Sequence, residues 1–176
     1  GNVLLKYLGE RGEQSGLQAA VAVSVPFRLD HCAERIGLGF SRVYQAHFMR
    51  ELTAYVQAKK RRFAAAGASQ HLSILEQLGP LDGMRTFWDF DGQITAPLHG
   101  YADADDYCRR ASSRYFLGAI RVPTLLIQAA DDPFVFRHSV PEPDELAPAT
   151  ELELHAKGGH VGFIDGSLRT PGFYLE

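Results

Sequence analysis

The stretch Val122–Phe134, "VPTLLIQAADDPF", combines a continuous apolar run with an abrupt polar stop. A short run of this kind is typical of a strand that is buried on both faces of a parallel sheet. We therefore predict a strand over Val122–Ala129, ended by the Asp131-Asp132-Pro133 turn. Ligand sites of open parallel sheets lie beyond the carboxyl ends of the strands, so polar residues in this turn are candidates for function.

Two other stretches predict further strands. The apolar run from Leu17 to Val25 is stopped by Pro26, and we expect it too to be buried on both faces. The stretch 149–156, "ATELELHA", alternates Glu with Leu and indicates a strand nearer the sheet edge. A helix over residues 3–8, ended by Gly9 or Gly12, precedes the first strand, and a helix is expected between the last two. The pattern predicts an α/β fold with a parallel sheet.

The middle of the chain predicts helices. Ser41 is expected to cap a helix with one apolar face, which carries Tyr44, Phe48, Leu52 and either Tyr55 or Val56. The basic residues 59–62 are expected at the carboxyl end of that helix, where cations complement the helix dipole. A second helix is predicted over 71–79, and a third begins at Asp103 as its cap.

Between the second and third of these helices, the stretch 87–101, "FWDFDGQITAPLHGY", is predicted to be an irregular packed connection with Phe87, Trp88 and Phe90 in the core. We therefore predict a sheet-containing core formed by 1–26 and 116–176, with 27–115 inserted as a helical cap.

Composition and residue spacing exclude several classes of protein. A net charge of −3 gives no basic surplus for a nucleic-acid partner. Cys32 and Cys108 form no Cys-x-x-Cys pair or disulfide framework, which together with the absence of a signal peptide predicts a cytoplasmic protein. No apolar run is long enough to predict a transmembrane segment. The spacing of Asp131, Asp132 and the nearby histidines matches no metal site, and no metal is expected.

The loop after the last predicted strand, 158–160, carries two glycines directly followed by His160. One interpretation is a surface turn in which the histidine is incidental. The other places His160 at the same rim of the sheet as Asp131 and Asp132, where a carboxylate would orient the imidazole as a base. The acid-then-base order at successive strand ends is that of α/β-hydrolases.

Longer segments resemble a specific family. The stretches 90–112, "FDGQITAPLHGYADADDYCRRAS", 122–135, "VPTLLIQAADDPFV", and 158–166, "GGHVGFIDG", resemble the YheT-like esterase branch of the α/β-hydrolase fold. The stretch 1–10, "GNVLLKYLGE", resembles the helix that follows that family's Gly-x-Ser-x-Gly-Gly-Asn nucleophile elbow. The resemblance implies the carboxyl-terminal portion of this fold, with an incomplete parallel sheet and a helical cap.

The resemblance also implies roles for particular residues. Asp132, which directly precedes Pro133, matches the family's acid, and His160 matches its base, while Asp131 is expected to be a strand-end turn former. The nucleophilic serine is expected three positions before Gly1, and the oxyanion hole also lies upstream. Structural roles are expected for Ser24 in a buried strand, Ser41 as a helix cap and Ser167 in a turn. The stretch 172–176, "GFYLE", is expected to begin a final helix, with 175–176 alternatively a cloning remnant.

The function implied is serine-dependent hydrolysis of carboxylic esters by the full-length protein, with this chain alone inactive. The expected partner is a small-molecule ester with an acyl chain. The acyl chain would contact Tyr44, Phe48 and Trp88. No cofactor is required. The alternative is a non-catalytic binding or interaction protein that keeps the fold. The sequence gives no indication of an oligomeric state.

Overall fold

The computed structural model describes residues 1–167 and 170–173. Its main sheet has three parallel strands, β1 (Ala20–Val23), β2 (Thr124–Ala129) and β3 (Thr150–His155), in the order β1-β2-β3. Strand β1 pairs with β2 from Ala20 opposite Thr124, and β2 pairs with β3 from Thr124 opposite Thr150. The predicted parallel sheet is therefore confirmed. Because the strands are parallel, the carboxyl ends of all three lie at one edge.

The two outer strands of this sheet differ from the central one in burial. Strand β2 is buried on both faces, as its apolar sequence predicts, with Leu126 and Gln128 fully inaccessible. Strand β1 is shorter than the predicted 17–25 run, and Val21 is 57% exposed, so the prediction of burial on both faces is wrong there. The reason is that, among the described strands, β1 has a neighbour on one side only. Strand β3 lies at the other edge, as predicted.

The helices precede and separate these strands. The α-helices are α1 (Asn2–Arg11), α2 (Leu29–Ile36), α3 (Ser41–Ala65), α4 (Ser69–Gln77), α5 (Phe87–Phe90), α6 (Ala96–His99) and α7 (Ala104–Ala111). A π-helical turn, Asp91–Thr95, joins α5 to α6, and 3₁₀ turns cover Gly12–Ser15, Ser113–Ala119, Arg137–Ser139 and Pro143–Glu145. The predicted cap of α7 is present, because Asp103 Oδ1 accepts the Asp106 N–H at 2.8 Å.

The chain divides into two compact units. The first comprises Gly1–Arg35 and the chain from Arg109 onward, and the second comprises Ile36–Cys108. The core of the first unit joins α1 to the sheet through fully buried side chains that include Leu5, Leu8, Phe27 and Leu126. The predicted division at 26/27 and 115/116 into a catalytic core and a cap stays a prediction.

The core of the second unit differs from the predicted one. On α3 the buried residues are Ser41, Gln45, Met49 and Val56. Of the predicted face, Val56 is buried and Leu52 packs against the core, whereas Tyr44, Phe48 and Tyr55 are 44%, 38% and 60% exposed, so packing buries only part of that face. The helix has two possible apolar stripes, and packing against Leu81, Phe90 and Ile94 selects the one that carries Met49. The N-cap is Phe40, and Ser41 is the first helical residue instead.

The stretch 87–99 is helical, so the predicted irregular connection is wrong. Thr86 and Asp89 form a capping box, in which each side chain accepts the other residue's backbone N–H. The left-handed Gly100, with φ of 73°, ends the helical stretch. Phe90 is buried and Phe87 packs against the same cluster, whereas Trp88 is 43% exposed and lies outside that core. Local capping chemistry thus outweighs the turn-forming composition of the stretch.

Two further predictions about the last third of the chain are wrong. Between β2 and β3 only the two short 3₁₀ turns replace the expected helix, because Pro141 and Pro143 interrupt a regular backbone. Residues Ile164–Ser167 (β4) and Thr170–Phe173 (β5) pair antiparallel, so 172–173 belong to a strand where a final helix is expected to begin, and the remainder of that expected helix, 174–176, lies outside the described residues. The expected cloning remnant, 175–176, lies outside the described residues. None of the described helices is both long and apolar enough to cross a membrane.

Candidate active site

Asp132 lies in the turn that follows β2, with its side chain buried and both carboxylate oxygens hydrogen-bonded. Oδ1 accepts the backbone N–H of Phe134 at 2.8 Å. Oδ2 accepts Nε2 of Gln128 at 3.1 Å and faces Nδ1 of His160 at 2.9 Å. The residue is 3% exposed. A buried carboxylate requires such partners, because it has lost its hydration, and together they hold it in one orientation.

Gln128 is a polar residue in the fully buried centre of the sheet. Its Oε1 accepts the backbone N–H of Val25 at 2.9 Å, while its Nε2 donates to Asp132. The side chain therefore connects the backbone just after β1 to the carboxylate just after β2. Gln128 is not among the site residues predicted from the sequence. The signal was present, since a glutamine within the apolar run "TLLIQA" requires buried hydrogen-bond partners.

His160 lies in the loop after β3, in hydrogen-bonding contact with Asp132. Because an ionised carboxylate can only accept, the 2.9 Å contact assigns the ring proton to Nδ1 and leaves Nε2 unprotonated in the neutral ring. The ring packs edge-on against Phe134, with centroids 4.8 Å apart, and its side chain is 35% exposed. The arrangement can accept a proton at Nε2 while the carboxylate stabilises the resulting imidazolium.

The two glycines before His160 are required by the geometry of the loop. A Cβ at Gly158 would lie 2.8 Å from the Phe163 ring and 3.0 Å from Ala129 Cβ, and Gly159 has φ of 60°. Asp131 Oδ1 accepts the N–H groups of both glycines, at 2.9 and 2.8 Å. Asp131, which is expected to form a turn, thus holds the loop that carries His160 by accepting these two hydrogen bonds.

The three serines considered in the sequence occupy different environments. Ser24 lies just after β1 instead of inside a strand, at a left-handed φ of 50°, and its hydroxyl donates to the backbone carbonyl of His160. Ser41 is buried in the first turn of α3. Ser167 ends β4 and is not in a turn. Ser24 therefore belongs to the contacts that fix the His160 loop.

The amino end of α1 lies against this same network. A Cβ at Gly1 would come within 2.7 Å of Val25 Cγ2, so the helix approaches Val25 as closely as a glycine permits. Asn2 accepts the Ser113 N–H at 2.8 Å and donates to the Ala111 carbonyl at 2.9 Å. A chain of contacts consequently runs from Gly1 through Val25 and Gln128 to Asp132.

The site is built from the side chains of Asp132, His160 and Gln128 and from backbone groups. Among the residues that the structure describes, no group of three His, Cys, Asp or Glu side chains could hold a metal ion. The side chains of Asp132, His160 and Gln128 can provide proton transfer and hydrogen bonding.

Comparison with known proteins places this chain in a family. A family model for the alpha/beta hydrolase fold matches residues 1–167. The chain is 41% identical over 176 residues to the protein named "Putative esterase YheT" from Escherichia coli (strain K12), a match that covers 100% of the chain and 50% of that protein.

Two further relatives are more distant. The chain is 31% identical over 179 residues to Phospholipase ABHD3 of Mus musculus, covering 100% of the chain and 41% of that protein. It is 31% identical over 174 residues to Monoacylglycerol lipase of Saccharomyces cerevisiae, covering 93% and 36%. The chain thus spans half or less of the length of these relatives. The match to the family model over 1–167 shows that the chain belongs to the α/β-hydrolase fold family.

Proposed function

We propose that the full-length protein containing this chain is a serine hydrolase of carboxylic esters, with His160 as its general base and Asp132 as the residue that orients it. The observation that carries the proposal is the 2.9 Å contact between His160 Nδ1 and the buried Asp132 Oδ2. Family membership supports it, as do relatives named for esterase, lipase and phospholipase activity.

In the proposed reaction, Nε2 of His160 first accepts a proton and then donates it. Nε2 accepts the proton of the serine hydroxyl as Oγ bonds to the ester carbonyl carbon, and the imidazolium is stabilised by Asp132. His160 then returns that proton to the leaving alcohol as the carbon–oxygen ester bond breaks. In deacylation it takes a proton from water as the water oxygen bonds to the acyl carbon, and it returns that proton to the serine Oγ as the bond between Oγ and the acyl carbon breaks and the carboxylic acid leaves.

The nucleophile is proposed to be a serine three positions before Gly1, from the resemblance of the Gly1-Asn2 start of α1 to the end of the Gly-x-Ser-x-Gly-Gly-Asn pattern. The contact of Gly1 with Val25 supports this placement, because Val25 is hydrogen-bonded to Gln128 and Gln128 to Asp132. A serine near the amino end of α1 would also benefit from the positive end of the helix dipole when negative charge develops.

The substrate is proposed to be a small-molecule ester with an acyl chain. Three aromatic residues of the second unit, Tyr44, Phe48 and Trp88, are each more than a third exposed instead of buried in that unit's core. Exposed aromatic side chains of this size are suited to contact with an apolar ligand. We propose that 27–115 acts as a cap and that these side chains contact the acyl chain.

The test is ester hydrolysis by the purified full-length protein, measured with p-nitrophenyl esters of graded chain length. His160→Ala should lower kcat on the order of 10³-fold or more if His160 is the general base. His99→Ala, at an exposed histidine that ends α6, is the matched control and should retain full activity. Unchanged turnover in the His160 variant would refute the proposal.

The alternative function, a non-catalytic binding protein with this fold, is separated from the enzyme by the proposed serine. A fluorophosphonate probe should label the full-length protein at the residue three positions before Gly1, and replacement of that serine by alanine should abolish the label. A protein with another residue at that position, and with no ester turnover, would be the binding protein instead.

A further inference from the structure

An open groove of about 880 Å³ lies wholly within the second unit, between α3 and the segment 81–86. Its lining includes Arg42, Gln45, Met49 and Arg50 from α3, and Leu81 and Arg85 from the facing segment. None of the residues that we propose for ester hydrolysis lines it. Its volume is in the range of small-molecule binding sites.

A buried amide oxygen in the groove wall lacks a hydrogen-bond partner among the described residues. Gln45 is 8% exposed, and its Oε1 accepts no hydrogen bond from any residue that the structure describes. A buried carbonyl oxygen without a donor is unfavourable, and such groups in folded proteins usually receive a partner from the protein, from water or from a ligand. Gln45 therefore gives the groove wall an acceptor for an O–H or N–H donor of water or of a ligand.

The rim of the same groove is positively charged. Three arginines line it, Arg42, Arg50 and Arg85, against one carboxylate, Asp82. Arg50 contacts its neighbours Glu51 and His47, whereas no described residue forms an ion pair with the guanidinium of Arg42 or Arg85. Guanidinium groups favour phosphate and carboxylate, to which they donate paired hydrogen bonds.

The third feature of the groove is its apolar wall. Met49 and Leu81 are 4% and 7% exposed and belong to the unit's core, and the half-buried Met84 lies beside them. Methionine side chains adapt their shape and are suited to flexible alkyl chains. Cations, an unpaired amide oxygen and an apolar wall thus occur together in one groove.

We propose that this groove binds an amphiphile with an anionic headgroup, an adjacent hydroxyl and an alkyl chain. The anion pairs with the arginines, the hydroxyl donates to Gln45 Oε1 after a small rotation of the amide, and the chain lies along Met49, Leu81 and Met84. The proposal does not depend on ester hydrolysis. The anion is a phosphate or a carboxylate, and the test distinguishes the two.

The test is calorimetric titration of the full-length protein with probes below their micelle concentrations. The main probe is 1-O-dodecylglycerol 3-phosphate, an ether without an ester bond to hydrolyse. Dodecyl phosphate lacks its hydroxyl, dodecanoate replaces phosphate by carboxylate, and dodecyltrimethylammonium reverses the charge. We expect either the glycerol phosphate or dodecanoate to bind at least about tenfold more tightly than the cation. If the cation binds equally well, or if no anionic probe binds, the proposal is wrong.

Paired variants locate the binding. Arg42→Ala combined with Arg85→Ala should weaken anion binding about tenfold or more, while Arg61→Ala combined with Arg62→Ala, on the same helix but outside the groove, should not. The parent should bind the hydroxyl-bearing probe more tightly than dodecyl phosphate, and Gln45→Leu should remove that preference. Gln45→Met serves if the leucine variant fails to fold. His160→Ala should bind normally, which separates this test from that of the proposed hydrolysis. Equal affinity in the two double variants would overturn the proposed site.

Discussion

Gln128 donates a hydrogen bond to Asp132 Oδ2, the carboxylate oxygen that also faces His160 Nδ1, while accepting one from the backbone of Val25. One fully buried side chain thus connects two strand ends of the sheet to the candidate acid. It limits the rotation of the carboxylate and satisfies an N–H group that would otherwise be buried without a partner.

Replacement of Gln128 by Met keeps the length of the side chain and removes both hydrogen bonds. We expect the free energy of unfolding to fall by about 1–3 kcal/mol, because the Val25 N–H and one Asp132 lone pair lose their partners. Denaturant unfolding of the full-length protein measures this. Gln77→Met, at an exposed position that ends α4, is the control and should stay within about 0.5 kcal/mol of the parent. Equal stability of the two variants would contradict the role assigned to Gln128.

The adjacent carboxylates Asp131 and Asp132 should respond differently to the same substitution. Asp131→Asn keeps an Oδ1 that accepts the Gly158 and Gly159 N–H groups, so we expect ester turnover within about threefold of the parent. Asp132→Asn can donate to His160 Nδ1 and favour the wrong tautomer, so kcat should fall on the order of 10³-fold or more.

The two asparagine variants are to be assayed side by side with a p-nitrophenyl ester, together with Asp131→Ala. The alanine variant removes the acceptor of both glycine N–H groups and should lower kcat about tenfold through displacement of the His160 loop. If Asp131→Asn were the more damaging of the two asparagine variants, the assignment of Asp132 as the orienting acid would be wrong.

Sequence patterns predicted the elements that depend on local rules. The buried run of β2, the alternation of β3 and the turn residues at 131–133 gave strands and strand ends that the structure confirms. Strand order brings Asp132 and His160 to one edge, and the structure gives their contact a length of 2.9 Å. Their catalytic roles, and the serine before Gly1, stay predictions.

Features that depend on packing between distant residues could not be predicted in this way. Helix α3 has two stripes that could be buried, and only its contacts with the segment 81–94 select the face with Met49. The helical stretch 87–99 depends on the Thr86–Asp89 capping box, which its aromatic and turn-forming composition obscures. The link through Gln128 depends on the pairing register that brings Val25 beside β2.

Gly9 offers a test of packing against helix propensity. In the interior of α1 an alanine would normally be favoured, but its Cβ would lie 2.3 Å from the Phe116 carbonyl oxygen. We therefore expect Gly9→Ala to destabilise the full-length protein by about 1–3 kcal/mol, because α1 must move away from the 3₁₀ turn that contains Phe116.

Gly92→Ala is the matched control for Gly9→Ala. Gly92 also lies in a helical segment, and its added Cβ would meet only Ala104 Cβ, at the ordinary distance of 3.7 Å. Restriction of the unfolded chain should make this variant as stable as the parent or more stable by up to about 1 kcal/mol. Thermal unfolding of both variants measures their stability. A loss of stability of the same size at both positions would show that the close contact at Gly9 is not the cause.

Two carboxyl groups, those of Asp91 and Glu145, should contribute to the pH dependence of stability with opposite signs. Burial raises the pKa of Asp91 above its ordinary value, partly offset by the hydrogen bond from Thr95, which lies 2.7 Å from Oδ1. The side-chain hydrogen bonds from Arg114, at 2.7 and 2.5 Å, lower the pKa of Glu145. Ionisation of Asp91 therefore destabilises the folded state, whereas ionisation of Glu145 stabilises it.

Asp91→Asn should raise the melting temperature of the full-length protein at pH 7, because the amide still accepts from Thr95 without a buried charge. The gain should disappear as the pH falls below the ordinary aspartate pKa of 3.8, where the parent is also neutral. Glu145→Gln should lower the melting temperature at pH 7, and its difference should disappear as the pH falls through the depressed pKa, below 4.5. Melting curves of the parent and both variants between about pH 3 and 7 test the signs. Shifts of the same sign at pH 7 would contradict the stated causes.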